Sequence, residues 1–255
     1  MSDLNVVVIP ARGGSQGIKD KNIQVVGGQP LVIRSLSHAL EFNSSFSIIV
    51  STDSQVILDV VTDFLGLSQL KLIDLNCDSI HDLGPITVHY RSQEFSDSNA
   101  LIGTALKNLR LLCREKMKTY ECWVLLQPTS PYRSKDEIHE IASKISGKFG
   151  PHDSWVSVEK VDDSHPARMY ELDSDSNKLV SLKGYEHLKA ARRQDLDPVY
   201  LRDGAFYCIS DRLVALGRQF SDDPTPIIRT SPWTINIDNE MDLALARLYS
   251  DILVE

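Results

Sequence analysis

An apolar strand over Leu4–Pro10 runs directly into a glycine-rich turn, Ala11-Arg12-Gly13-Gly14-Ser15-Gln16-Gly17-Ile18-Lys19-Asp20-Lys21-Asn22. A strand without polar alternation is buried on both faces, the mark of a parallel sheet covered by helices on each side. That restricts the chain to an α/β architecture before any other element is read. The turn narrows the chemistry. Its glycines let backbone N–H groups approach an anion closely, and Arg12, Lys19 and Lys21 bring cations to the same place. A tight turn after a buried strand accounts for the glycines alone, but not for the cations beside them. The spacing is neither G-x-x-x-x-G-K-[ST] nor G-x-G-x-x-G, so it indicates nucleotide phosphates while disfavouring a dinucleotide oxidoreductase.

Strands and helices then alternate over the 255 residues, enough for one large domain with a substantial insertion. Helical spacing places Leu31, Val32, Leu36, Ala39 and Leu40 on one helix, and Val56, Ile57, Val60, Val61, Phe64 and Leu65 on the next. A helix is expected over about Asn99–Cys113. Another follows the capping box Ser134-x-x-Glu137, and a last one is capped by Asn239 with Met241, Leu245, Leu248, Tyr249 and Ile252 along one side. Strands are expected at Ser47–Val50, Leu70–Leu75, Ile86–Tyr90, Cys122–Leu126, Trp155–Val158, Gly204–Ile209, Pro226–Arg229 and Thr234–Ile237. Asn76–Pro85 reads as a turn segment. The pattern predicts a doubly wound, mostly parallel sheet forming a single domain over residues 1–255. Such sheets bind ligands at the carboxyl ends of their strands. Arg12–Lys21, Ser51–Asp53 and Gln127–Ser130 all follow strands directly. Asp162–Asp203 breaks the pattern and reads as an inserted lid or oligomerisation arm.

A formal net charge of −8 argues against a nucleic acid polymer or an anionic membrane as partner. Cys77, Cys113, Cys122 and Cys208 show no C-x-x-C pair and no histidines at ligand spacing, which suits reduced thiols. With no signal-like opening and no run long enough to span a bilayer, a cytoplasmic location is expected.

Four blocks in order make the chain resemble the acylneuraminate cytidylyltransferases, the enzymes of CMP-sialic acid synthesis. They are Ile9–Ile18 with Lys21-Asn22; Leu125-Leu126-Gln127-Pro128-Thr129-Ser130-Pro131-Tyr132-Arg133; Arg192-Arg193-Gln194-Asp195 with Tyr200 and Asp203–Tyr207; and Ile235-Asn236-Ile237-Asp238 with Asp242. The resemblance covers nearly the whole chain. It implies a Rossmann-like nucleotidyltransferase fold and formation of a CMP-sugar from CTP and a nine-carbon α-keto acid sugar, such as sialic or legionaminic acid. Pyrophosphate is released. Pseudaminic acid, Kdo, or mere nucleotide and sugar binding are the alternatives. The sister family acting on Kdo has a shorter, differently spaced turn and lacks Arg-Arg-Gln-Asp.

By the same resemblance Ala11, Arg12, Gly13, Ser15, Asn22 and Arg91 bind the nucleotide, and Arg12, Lys21 and Asp238 carry the chemistry. Gln127, Arg168, Arg193 and Tyr207 meet the sugar. Asp238 and position 236 hold Mg²⁺, whose preference is for hard oxygen ligands. A homodimer through the arm is implied, with Arg168 or Arg193 reaching the partner's site. The chain departs from the family pattern in four places. Asn236 stands where an aspartate is usual, which predicts weaker metal binding or dependence on phosphate oxygens to complete the coordination. Asp203 replaces an asparagine, which predicts repulsion of an anionic substrate unless Arg202 or a metal compensates. Arg168 stands for lysine, and the proline after Arg91 is missing. The segment Leu67–Pro85 is longer than the family norm.

Overall fold

The computed structural model describes residues 5–14, 17–43, 45–67, 78–96, 101–146, 153–161, 164–188, 192–231 and 233–253. Its strands are β1 (Asn5–Pro10), β2 (Val25–Val26), β3 (Gln29–Pro30), β4 (Phe46–Thr52), β5 (Ser79–Asp82) and β6 (Thr87–Tyr90). They continue with β7 (Cys122–Leu125), β8 (Ser154–Lys160), β9 (Tyr170–Asp173), β10 (Lys178–Ser181), β11 (Tyr200–Ser210) and β12 (Thr225–Arg229). The helices are α1 (Leu31–Leu40), α2 (Gln55–Phe64), α3 (Ile102–Glu115), α4 (Lys135–Ser146), α5 (Asp211–Ala215) and α6 (Glu240–Leu253).

Eight strands form one sheet in the order β12-β8-β11-β7-β1-β4-β6-β5. β7, β1, β4 and β6 run parallel, as do β12 and β8. β11 is antiparallel to both of its neighbours, and β5 to β6. The expected mostly parallel α/β sheet is what forms. β1 shows why its residues carry no polar alternation. Val7 and Ile9 pack with Leu36, Leu58 and Ile141 on one face, while Val6 and Val8 pack with Leu106, Leu109 and Leu213 on the other. The capping box also forms: the Ser134 N–H donates to Glu137 Oε2, and the Glu137 N–H to Ser134 Oγ.

Several expectations need correction. Residues 234–237 form no strand; they run extended, tied by the Ile237 N–H to the Thr129 carbonyl at 2.8 Å. The segment read as a turn contains β5, an edge strand whose polar Ser-Ile-His-Asp sequence hides it, since an edge needs only one paired side. The strand expected over 70–75 lies outside the described residues. Of the apolar stripe along α6 only Tyr249 packs on the core, against Tyr132 and Trp233; Met241, Leu245, Leu248 and Ile252 are exposed, while Leu243, Ala246 and Ser250 are buried. At Ser250 a small residue is required because the neighbouring backbone comes close. A Cβ built on Gly27 (φ +57°), in the β2–β3 hairpin, would lie 3.2 Å from Ser250 Cβ.

A similar close approach joins α3 to the end of α5, where a Cβ on Gly103 would stand 2.0 Å from the Gly217 carbonyl oxygen. Backbone cannot yield as a flexible side chain can. Gly103→Ala is therefore expected to destabilise the protein by about 1–3 kcal/mol, read as a lower Tm. An unchanged Tm would mean that the two helices can separate at no cost.

Candidate active site

The glycine-rich turn is stitched to the end of β4 and to the segment before α6. Beyond β1, the Ala11 N–H donates to the Ser51 carbonyl of β4 at 2.8 Å. The Gly13 N–H donates to Asp53 Oδ1 at 2.7 Å, and a Cβ on Gly13 would lie 2.9 Å from Ser54 Cβ. Gly17 lies against residue 238, where a Cβ would meet the Asp238 carbonyl oxygen at 2.4 Å. Lys21 Nζ donates to the Ile237 carbonyl at 2.9 Å and stands 3.6 Å from Asp238 Oδ1. The buried Asn22 amide donates to the Arg12 carbonyl at 2.8 Å. Asn22 thus holds the turn's own backbone, and the Gly13 amide serves an internal carboxylate. The charge of a phosphate here would be met by the Arg12 and Lys21 side chains. Ser15 lies outside the described residues.

A second group of polar side chains gathers over Gly204. Its φ of +75° sits in the irregularity of β11 between Arg202 and Tyr207. A Cβ there would lie 2.9 Å from Ser130 Oγ, 3.0 Å from Gln127 Oε1 and 3.5 Å from Asn236 Oδ1. The missing side chain is what lets these three groups converge.

Beneath them runs a buried charge network. Arg229 Nη1 donates to Asp203 Oδ2 at 2.8 Å, its Nε to Glu137 Oε1 at 2.8 Å and its Nη2 to the Tyr132 carbonyl at 2.7 Å. Asp203 also accepts from the Ser157 hydroxyl and the Ala205 N–H. The expected repulsion of substrate by Asp203 is therefore overturned. Its carboxylate is buried and compensated by Arg229, while Arg202 instead lies over the Phe220 ring at 4.5 Å. Burial pushes the Glu137 carboxyl up, but bonds from Arg229 and Ser134 outweigh it and the net shift is downward. Arg133 donates to the Ala205 and Gln127 carbonyls, and burial, then the charge of Arg229, lowers its pKa to about 9. Burial, then the Arg133, Arg34 and Arg229 charges, holds His38 down at about 2.

Asp238 follows the extended segment with its side chain 69% exposed. Its Oδ2 accepts from Asn236 Nδ2 at 2.8 Å, and its N–H donates to Asp242 Oδ2 at 2.8 Å. Asn239 caps α6 as expected, accepting from the Asp242 N–H. Among the described residues no three His, Cys, Asp or Glu side chains gather as a metal cage. The donor set instead suits Mg²⁺ shared with a substrate: one hard carboxylate with an amide beside it, the remaining positions falling to phosphates and water.

Arg91, after β6, is only 4% exposed, and the charges of Asp53, Arg12 and Asp78 act on it. Burial lowers its pKa, with the attraction of Asp53 opposing. The structure therefore brings Ala11, Arg12, Gly13, Lys21, Asn22 and Arg91 to one side of the carboxyl edge, and Gln127, Asn236 and Asp238 beside them. It does not bring Tyr207 there. That ring is buried among Leu125, Ile209 and Leu213 and stacks on Phe220. Arg168 is exposed on the arm, in the short 3₁₀ turn Pro166–Arg168 steadied by His165, and Arg193 begins another, Arg193–Asp195. Asp53, Ser130 and Gly204 were not singled out as site residues, although the polar segments carrying the first two were visible after their strands.

Residues 6–79 match the family model described as Cytidylyltransferase. The CMP-N,N'-diacetyllegionaminic acid synthase of Legionella pneumophila is 28% identical over 245 residues, covering 94% of this chain and 93% of its own. The pseudaminic acid cytidylyltransferase of Campylobacter jejuni is 26% identical over 247 residues, covering 96% and 95%. An N-acylneuraminate cytidylyltransferase of Streptococcus agalactiae is 29% identical over 204 residues; the match takes in 79% of this chain but 42% of that longer protein. Among solved structures, CMP:2-keto-3-deoxy-manno-octonic acid synthetase complexed with CTP shares the fold. Its TM-score is 0.62 at 13% identity, covering 98% of this chain and 99% of that one.

The partly buried His38 beneath the site makes stability depend on pH. An unfolded chain protonates His38 below its ordinary value of 6.5, whereas the folded protein resists the proton down to about 2. Its contribution is whole above pH 6.5 and falls as pH drops, by up to about 1.4 kcal/mol per unit. Urea unfolding at pH 5 and pH 7.5 should show wild-type protein losing roughly 2 kcal/mol more than His38→Gln. Equal losses would place the acid-sensitive group elsewhere.

Proposed function

We propose that the chain is a cytidylyltransferase that transfers CMP from CTP to a nine-carbon α-keto sugar acid, sialic acid or a relative such as legionaminic acid. Likeness to the legionaminic and pseudaminic acid enzymes over nearly their whole lengths supports this reading. The observation that carries it is the convergence of Arg12, Lys21, Arg91, Gln127 and Asp238 at the carboxyl ends of β1, β6 and β7 and the extended segment before α6.

The sugar's anomeric oxygen bonds to the α-phosphorus of CTP while the bond from that phosphorus to the bridging oxygen breaks. Pyrophosphate leaves with the negative charge, and the hydroxyl proton is lost. Such a transfer needs alignment and charge neutralisation more than covalent help. Arg12 and Lys21 meet the charge of the leaving pyrophosphate. Gln127 and Ser130, over the space left by Gly204, hydrogen-bond the acceptor. Asp238, with Asn236, would hold Mg²⁺, which would supply further positive charge beside the phosphates.

We also propose a homodimer. The β9–β10 hairpin carries Leu172 and Leu179 in register with each other, 62% and 67% exposed. Tyr170 and Val180 on the same hairpin are exposed as well, and so is Leu201. A lone two-stranded hairpin is marginal in water, so a covered one is favoured. A second arm would cover it and carry Arg168 and Arg193 toward the sugar's carboxylate in the neighbouring site.

The first test is pyrophosphate release from CTP and Mg²⁺ with sialic, legionaminic and pseudaminic acids and Kdo in turn. One acid should stand far above the rest, and release with none despite CTP binding would remove the enzyme reading. Arg12→Ala should lower kcat/KM by about 10²–10³-fold with the fold intact, as circular dichroism would verify. Leu172→Asp with Leu179→Asp should give a monomer by light scattering. A wild-type protein that is itself a stable, active monomer would dispose of the dimer.

A further inference from the structure

Arg91 is held from two sides by its neighbours but not by its own side chain. Its N–H donates to the Thr52 carbonyl at 2.8 Å, while its Nε and Nη2 are buried with no hydrogen-bond partner among the described residues. A buried guanidinium with unmet N–H groups, beside the glycine-rich turn, is set to receive an acceptor oxygen from outside the protein. What keeps it aimed is the next residue. The buried Ser92 donates twice to Asp78, its N–H to Oδ1 at 3.0 Å and its hydroxyl to Oδ2 at 3.0 Å. Asp78 directly precedes β5, whose antiparallel register sets Ser79 opposite Tyr90. Both carboxylate oxygens thus clamp the chain where it leaves β6.

A histidine stands beside the clamp. Fully buried His89 is fixed by Nδ1 to Ser51 Oγ at 2.9 Å, and its Nε2 lies 3.5 Å from Asp78 Oδ1 with no hydrogen bond between them. Asp78 also lies among the charges acting on Arg91. It belongs to the long segment between α2 and β6 for which the reaction itself supplies no role.

We propose that Asp78 is a positioning residue for the nucleotide: through Ser92 it holds the Arg91 guanidinium pointed into the cleft, and its charge offsets that of the buried cation. This rests on the reading of the site as a CTP site. The reason for the extra length of the chain before β6 is then mechanical, since β5 carries the clamp to the edge of the sheet.

Calorimetric titration with CTP, together with steady-state kinetics, tests this. Asp78→Ala should weaken CTP binding about tenfold or more, raising KM for CTP while KM for the sugar acid and kcat at saturating CTP stay within about twofold. Asp78→Asn, which keeps one acceptor oxygen for Ser92, should fall between the two. Added to Arg91→Ala, Asp78→Ala should cost no further affinity, since the pair acts as a unit. CTP affinity unchanged in Asp78→Ala, or an additive loss in the double variant, would overturn the proposal. So would a loss shared equally by CTP and the sugar acid, which a merely structural role would give. If Asp78→Ala does not fold, Asp78→Asn and Ser92→Ala, each removing part of the clamp, are read by the same criteria. Wild-type protein that binds no CTP would overturn the functional reading as well; binding with an indifferent Asp78 would overturn this inference alone.

Discussion

The Arg229 guanidinium joins three segments that sequence keeps far apart: the end of β12, the bend of β11 at Asp203 and the start of α4 at Glu137. Its third contact, to the Tyr132 carbonyl, fixes the loop that leads from Gln127 into α4. Charges taken out of water this completely are tolerable only when each is answered, and here each is. Two carboxylates face two guanidinium groups, Arg133 being satisfied by carbonyls, and His38 stays neutral so that no further positive charge enters. The positions of Ser130, Gln127 and Gly204 follow from that balance, because all three lie directly on the segments it ties together.

Above this buried layer, the cleft uses charge in the opposite way. The chain as a whole is anionic, yet Arg12, Lys21 and Arg91 stand together at one sheet edge. Such a local reversal of sign attracts an anionic nucleotide against the field of the rest of the surface. The carboxylates nearby are assigned to internal work. Asp53 holds the Gly13 amide, and Asp242 holds the backbone of the loop carrying Asp238. Asp238 is left as the exposed acid, accompanied by a neutral amide.

Much of this was readable from residue order, for identifiable reasons. β1 and the turn were legible because burial on two faces and anion binding each demand a distinctive composition. The Ser134–Glu137 box was legible because both partners are local. Asp203 was misread because its partner, Arg229, lies in another strand and nothing in the local pattern joins them. Tyr207 was assigned to the sugar by resemblance, yet alternation along β11 turns it toward Phe220, under the opposite face from Phe206. On α6 the large apolar residues looked like the buried stripe. Close approach to Gly27 instead calls for a small residue at Ser250, a preference that hydrophobicity cannot show. β5 was hidden by its polar edge, and with it the clamp on Ser92.

The bond from Lys21 to the Ile237 carbonyl spans 216 positions of the chain. A ribosome delivers these partners at opposite ends of synthesis, so β1 and its turn emerge long before the backbone that Gly17 and Lys21 must meet. Contacts of such separation form late, after loop closure has been accomplished elsewhere. The nascent sheet can gather around β1, β4 and β7 without a competent cleft. Competence therefore arrives with the final helix, and a chain interrupted before residue 237 would hold most of its core and none of its completed active site.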